Sequence, residues 1–212
     1  MAPWRTRCSA RSRLWFDGLL LIALPVVFLI DRPVFRFFRG DASALETHDW
    51  YRLLRVLGYL PTWLLVGAAL TLVDLAPQSP PCEPRRRWRG GLVVLSATGS
   101  GLAAEVLKLI VRRERPGPDG QVVYKPWTHL LDSSNLGMPS SHTAVAFGAT
   151  LMLTWFHPRA SLVLIPAAAG CALTRLLAGA HLPSDVYVGA LLGLVVSRLT
   201  WSVAGGRGAD LR

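Results

Sequence analysis

The chain has 212 residues, 51% of them hydrophobic and only 17% charged, with a mean hydropathy of +0.36; soluble domains carry about 25% charged residues, so an ordinary water-soluble domain is excluded. Its 23 Lys and Arg against 13 Asp and Glu give a formal charge of +10, which by composition alone suits either nucleic acid or anionic lipid. The 19 Gly and 15 Pro follow no period and three cysteines cannot form a framework, which removes the collagen-like and disulfide-rich classes.

With about 20 residues to each membrane-spanning helix, the apolar segments predict up to six spans joined by short loops. The expected fold is all-α: a single polytopic membrane domain with no room for a separate soluble one. The first span, Leu14 to Ile30, follows Arg5, Arg7, Arg11 and Arg13 and lacks a small-x-small cleavage pattern, so it reads as an uncleaved anchor. The segment from Asp41 to Arg55 reads as an amphipathic helix on the outer surface. The later spans are Leu53 to Leu75, Gly91 to Val111, His142 to Phe156, Ser161 to Ala180 and Val186 to Ala204. Glu105 and Lys108 interrupt the third and Arg175 the fifth, and the fourth is short.

Loop charges orient the spans, because Lys and Arg near span ends are retained on the cytoplasmic side. With both termini inside, the inner segments hold the N-terminal arginines, Arg85, Arg86, Arg87, Arg89, Arg159, Arg207 and Arg212. In the first outer loop four arginines are offset by Asp31, Asp41, Glu46 and Asp49. Trp15, Trp88, Trp155 and Trp201 fall near inner ends, as interfacial rings do. The basic cluster around Trp88 reads as a topogenic loop on anionic lipid. Nucleic-acid binding would need a basic face with its own fold, and none is available. Cys8, Cys82 and Cys171 read as reduced spectators, with no zinc spacing.

Three polar clusters then fall on one side of the membrane. In the first, Lys108 precedes Arg115 by seven residues, two helical turns, which would set both cations on one face about 10 Å apart with Pro116 closing the helix; Arg112 and Arg113 fit a snorkelling, interfacial role. In the second, Gly137-Met138-Pro139-Ser140-Ser141-His142 runs into the fourth span. Serine hydroxyls and free N–H groups at a helix start make an anion site, with His142 beside it as a proton donor, although an ordinary N-cap looks the same. The third is Thr174-Arg175, then His181, then Asp185. An arginine near the end of an apolar span is expensive unless an anion meets it, and an Asp four residues after a His can orient and activate the imidazole. Pro183 suits a helix start between them.

Three cations with a helix N-terminus suit a phosphoryl group, whose transfer depends on electrostatic stabilisation. No carboxylate cluster is present to hold a metal, so no metal and no other cofactor is expected.

Lys-x6-Arg-Pro, Pro-Ser-Ser-His and Arg-x5-His-x3-Asp, in this order over six spans, resemble the type 2 phosphatidic acid phosphatase (PAP2) superfamily. The resemblance covers roughly residues 90 to 190 by motif. It implies a six-helix core with a site at the outer face, and removal of phosphate from lipid phosphates and diphosphates through a phosphohistidine. By motif, His181 would be the nucleophile, Asp185 its orienting partner and His142 the acid for the leaving oxygen, with Lys108, Arg115, Ser140, Ser141 and Arg175 at the phosphate. Two positions depart from the family pattern: Ser141 stands where the motif has glycine, tolerable if its φ is negative, and Thr174 where it has serine.

The partners expected are a lipid phosphate and the bilayer, in a bacterial inner membrane with the site facing outward. Undecaprenyl diphosphate is slightly favoured over phosphatidic acid, phosphatidylglycerophosphate and the 1-phosphate of lipid A. A phosphotransferase using the same phosphohistidine is the alternative, and an anion channel or transporter leaves the His181–Asp185 spacing without a reason. Asp119, Tyr124, Lys125, Trp127, His129 and Asp132 read as a loop over the site, in which Lys125 or His129 could touch a headgroup.

Overall fold

Apolar runs this long become helices because, away from water, each backbone N–H and C=O needs a partner within its own segment. The computed structural model describes residues 10–75, 88–128 and 132–205; Cys8, Cys82, His129, Arg85, Arg86, Arg87, Arg207 and Arg212 lie outside these. The helices are α1 (Ala10–Leu29), α2 (Asp31–Phe38), α3 (Ala42–Leu45), α4 (Asp49–Val56), α5 (Leu60–Leu75), α6 (Arg89–Val111), α7 (Ser141–Phe156), α8 (Ser161–Leu177) and α9 (Pro183–Val203). Among the described residues there is no strand, only two isolated antiparallel bridges, Arg113 with Tyr124 and Glu114 with Leu136.

Helix α7 is central, packed on α6, α8 and α9; α5 lies against α6, α4 against α8 and α1 against α9. Trp63, Val93, Ala97, Val145, Ala149 and Met152 form the main apolar core. Leu65, Leu72, Leu162, Val163 and Leu199 point outward and are exposed, giving the bundle the apolar surface that lipid contact requires. Small residues carry the α7–α9 crossing: a Cβ on Gly193 would stand 2.7 Å from the Gly148 nitrogen, and one on Gly189 would stand 2.6 Å from the Ser140 carbonyl oxygen. Backbones approach this closely only where side chains are absent. Across α6 and α7, Ser96 Oγ donates to the Gly148 carbonyl at 2.7 Å.

Among the described residues the helices do not make six uninterrupted spans. Three helical stretches, Arg89–Val111, Pro158–Leu177 and Pro183–Val203, have the length and apolarity to cross a membrane. Two bent pairs, Trp15–Leu29 with Asp31–Phe38 at 69° and Asp49–Val56 with Leu60–Leu75 at 68°, raise the number to five if each counts as one span. Helix α7 has only 16 residues. Proline accounts for both bends. A proline ring clashes with the carbonyl four residues back, which for Pro33 is Leu29, the last residue of α1, and for Pro61 is Leu57, just past α4. The continuous span expected from Leu53 is therefore broken at residues 57–59.

At the end of the bundle opposite the one described below, Arg89 is buried against Asp74, its Nε 3.0 Å from Oδ2, with an Nη 3.0 Å from His157 Nε2. It is an internal ion pair rather than part of a loop lying on anionic lipid, as expected of the basic cluster around Trp88. Asp17 pairs with Arg198 at 2.6 Å, and Trp155 stacks on Trp201 with centroids 5.6 Å apart.

Candidate active site

Because α6, α7, α8 and α9 alternate in direction, the C-terminal ends of α6 and α8 meet the N-terminal starts of α7 and α9 at one end of the bundle. All three polar clusters arrive there. Lys108 is buried, and its Nζ donates to Ser141 Oγ at 2.7 Å and to Glu105 Oε1 at 2.8 Å. Ser141, at the family's glycine position, opens α7 with helical backbone and offers the lysine an acceptor that glycine could not.

Arg115 does not share a helical face with Lys108. Arg112 adopts the left-handed conformation (φ 55°), its N–H bonded to the Lys108 carbonyl, and this ends α6 at Val111. Arg115 stands exposed in the following loop, held by its N–H to the Asn135 carbonyl at 2.9 Å, within electrostatic reach of Arg175, His181 and Glu105.

Ser140 is the N-cap of α7 by position, but its hydroxyl does not cap the helix. Fully buried, it accepts from Thr143 Oγ1 at 3.1 Å, and its N–H donates to the Asp185 carbonyl at 3.0 Å, so the starts of α7 and α9 are tied main chain to main chain. His142 follows, its ring met edge-on by Tyr59 at 5.0 Å.

His181 lies in the turn before α9 and is 2% exposed, with Nδ1 3.6 Å from Asp185 Oδ2, longer than a hydrogen bond. Burial pushes its pKa below the ordinary histidine value, and the adjacent Asp185 carboxylate opposes that shift. Asp185 is the third residue of α9, with Pro183 first, as the helix-start reading expected; Oδ2 accepts the Leu182 N–H at 2.7 Å. Its other oxygen is held by Arg113.

Arg113 is the residue the spacing did not reveal. Only 1% exposed, as is Arg112, it is far from the interfacial role expected of both. Its Nε and Nη2 grip Asp185 Oδ1, Nη2 donates to Ser184 Oγ at 2.6 Å, and Nη1 lies 3.4 Å from Asp31 Oδ2. Asp31, at the start of α2, in turn accepts Ser184 N–H at 2.8 Å and its hydroxyl at 2.5 Å. No local signal could have shown this, since Asp185 and Asp31 are 72 and 82 residues from Arg113 in sequence.

Residues 112–128 and 132–136 fold back on each other. Arg112 Nε reaches the Lys125 carbonyl at 3.4 Å and its guanidinium lies 5.7 Å from the Trp127 ring centre. Lys125 Nζ is occupied by the Ser134 carbonyl and hydroxyl, at 3.0 and 2.9 Å, and by Asp132 at 2.5 Å. It closes the loop instead of facing a headgroup, and with Ser134 holds the Asp132 carboxyl well below the usual carboxylate range.

Among the described residues, four buried side-chain nitrogens have no hydrogen-bond partner: Arg55 Nε, His142 Nε2, Arg175 Nε and His181 Nδ1. Native proteins leave few such groups, and here all four gather at one end. Arg175 is itself 7% exposed at the end of α8, buried without an acid paired to it among the described contacts. No three His, Cys, Asp or Glu side chains among the described residues group as metal ligands.

The family profile described as PAP2 superfamily matches residues 89–209, more than half of the chain. This chain belongs to the PAP2 superfamily. Over 125 residues it is 36% identical to a decaprenylphosphoryl-5-phosphoribose phosphatase of Mycobacterium tuberculosis, spanning 58% of this chain and 66% of that protein. Over 118 residues it is 34% identical to a lipid A 1-phosphatase of Rhizobium johnstonii, spanning 53% of this chain and 47% of that one. The matches thus span less than two thirds of either relative's length. The crystal structure of Aquifex aeolicus LpxE aligns with a TM-score of 0.45 and 19% identity over 72% of this chain and 92% of that chain. The PAP2 match begins at the start of α6, so α1 to α5 lie outside it and Arg113, Arg175 and both histidines inside it.

Proposed function

We propose that this PAP2 protein is an integral-membrane phosphatase that removes phosphate from a lipid phosphate or diphosphate through a phosphohistidine. One observation carries the reading: His142, Arg175 and His181, from three different motif segments, each bury an unpartnered nitrogen at the helix ends where Lys108 and Ser140 also lie. Oxygens of a tetrahedral phosphoryl group would satisfy those of His142 and Arg175, while His181 Nδ1 faces Asp185 Oδ2 at 3.6 Å and leaves Nε2 to the phosphorus.

In this mechanism His181 Nε2 attacks phosphorus while Asp185 lies behind Nδ1. The bond to the leaving oxygen breaks, and His142 gives that oxygen a proton. Lys108, Arg115 and Arg175, with Ser140 and Ser141, hold the equatorial oxygens, whose charge grows in the transition state. Water then attacks the phosphohistidine, returning its proton to His142, and phosphate is released. Six crossings with α7 as the short one, cytoplasmic termini and a site at the outer face of a bacterial inner membrane complete the proposal. A polyprenyl carrier is favoured: the mycobacterial relative is named for a decaprenylphosphoryl substrate, while the rhizobial one keeps lipid A as the competitor.

The test separates the two histidines, because a nucleophile and a leaving-group acid fail differently. In His181→Ala neither turnover nor an acid-labile phosphoenzyme should remain. His142→Ala should lose about 10² to 10⁴ in rate on a lipid phosphate but recover much of its relative rate on a nitrophenyl phosphate, whose leaving group needs little protonation. Equal rescue of both variants by the good leaving group rejects the assigned roles.

A further inference from the structure

The break between α4 and α5 carries groups that belong to none of the three motifs. Arg55 sits in the last turn of α4, and Tyr59 immediately precedes α5. The Arg55 guanidinium carbon stands 5.7 Å from the centre of the Tyr59 ring, the same ring that meets His142. Gly58 lies against that imidazole: a Cβ there would be 2.7 Å from His142 Cβ and 2.8 Å from Cδ2. Tyr51, fully buried on the same helix, holds α4 to α8 beside Thr174.

One Nη of Arg55 is taken by Glu46, whose side chain is about half exposed, while Nε is buried with no partner. Three of the four unpartnered nitrogens belong to motif residues, and Arg55 provides the fourth. A buried N–H without an acceptor costs about 1–3 kcal/mol. The Arg55 carbonyl lies 4.0 Å from Cys171 Sγ, one helical turn before Arg175, a second cation whose Nε is also without a partner. An anion that both guanidiniums can reach relieves both penalties.

Position says which anion. Arg55 and His142 meet the same Tyr59 ring, and Gly58 is closed against that imidazole. Arg55 therefore stands on the side of the proton donor, where the leaving oxygen departs.

We propose that Arg55, backed by Tyr59, is a specificity-determining residue that binds the second phosphate of a lipid diphosphate. The inference rests on His181 as nucleophile and His142 as leaving-group acid. The terminal phosphorus forms its bond to His181 Nε2 and its bond to the bridging oxygen breaks. That oxygen takes the His142 proton and leaves as part of the lipid monophosphate, whose negative charge Arg55 holds. A lipid monophosphate has only an alkyl oxygen there and gives Arg55 nothing to bind.

The experiment compares farnesyl diphosphate with farnesyl monophosphate, two substrates with one tail, on the purified full-length protein and its Arg55→Ala, Arg55→Lys and His181→Ala variants. Arg55→Ala should lower kcat/KM for the diphosphate by about 10- to 100-fold, the size of a lost charge-assisted hydrogen bond, and for the monophosphate by less than about threefold. Arg55→Lys should restore part of the diphosphate rate. Monophosphate turnover is the control for folding. An equal fall on both substrates, or none on the diphosphate, overturns the proposal. Turnover that survives in His181→Ala overturns the underlying mechanism instead, whatever Arg55→Ala does, and removes the leaving-group side on which the Arg55 assignment depends.

Discussion

Arg113 shows how one side chain can hold the geometry proposed for catalysis without touching substrate. It joins two buried carboxylates, Asp185 and Asp31, and a serine hydroxyl, and is itself 1% exposed. Removing one partner of a buried ion pair strands the other charge, at about 3–5 kcal/mol. Arg113→Met should therefore lower thermal stability in detergent more than Arg115→Met, whose side chain is exposed. The His181 environment carries a second expectation. A nucleophilic imidazole works when unprotonated, so activity is lost as pH falls through its pKa; burial depresses that pKa, which places the acid limb of kcat/KM below the ordinary value of about 6.5. Asp185→Asn removes the opposing charge and should move the limb lower still while reducing the rate, as read from pH–rate profiles. Lys108, Arg175, His181 and Asp185 were legible in the sequence as candidates, the first two because charge in an apolar run is anomalous and the others because an Asp four residues after a His can orient it. Arg113, Asp31 and Arg55 were not, because their meaning lies in partners brought by other helices.

Among the helices, α7 has the tightest constraints. It is short, central, and approached by α9 at glycines. Gly189→Ala would press a methyl against the Ser140 carbonyl, so the start of α7, and His142 with it, must shift. We expect lower stability and a fall in kcat of about tenfold or more, since about 1 Å of misplacement can cost 10²-fold. Gly91→Ala, whose Cβ meets nothing within 4 Å, should be silent or slightly stabilising in parallel unfolding and turnover assays. Helix existence was readable from apolar length, and α6 and α9 begin and end within three residues of expectation. The bends were not, although Pro33 and Pro61 marked them: a window of hydropathy averages over the residue that breaks the helix. The seven-residue spacing likewise missed that Arg115 lies beyond α6, because the end at Val111 is fixed by the left-handed backbone conformation of Arg112.

At the scale of the molecule the charges sort to two ends. The phosphate-binding candidates and both histidines meet at one, while Asp17–Arg198, Arg89–Asp74 and the Trp155–Trp201 stack mark the other. With Cys8, Cys82 and Cys171 replaced by serine, Tyr124→Cys should react with an impermeant maleimide from outside intact cells, and Arg159→Cys only after lysis. The opposite pattern reverses the proposed topology. That the three polar clusters would meet at one end of the bundle was readable once the helices were drawn, because successive helices alternate; how closely the ends converge was not, since it depends on small-residue crossings between helices far apart in sequence.

The main-chain hydrogen bond from Ser140 to Asp185 joins the starts of α7 and α9, the glycine crossing holds them midway and the Trp155–Trp201 stack joins their far ends. Helices tied along their length move as one body. When the bilayer thins or thickens, helices answer hydrophobic mismatch chiefly by tilting, and a tied pair tilts together. The distance between the two histidines is then set by these ties and not by the lipid, so the proposed chemistry keeps its geometry in membranes of changing thickness.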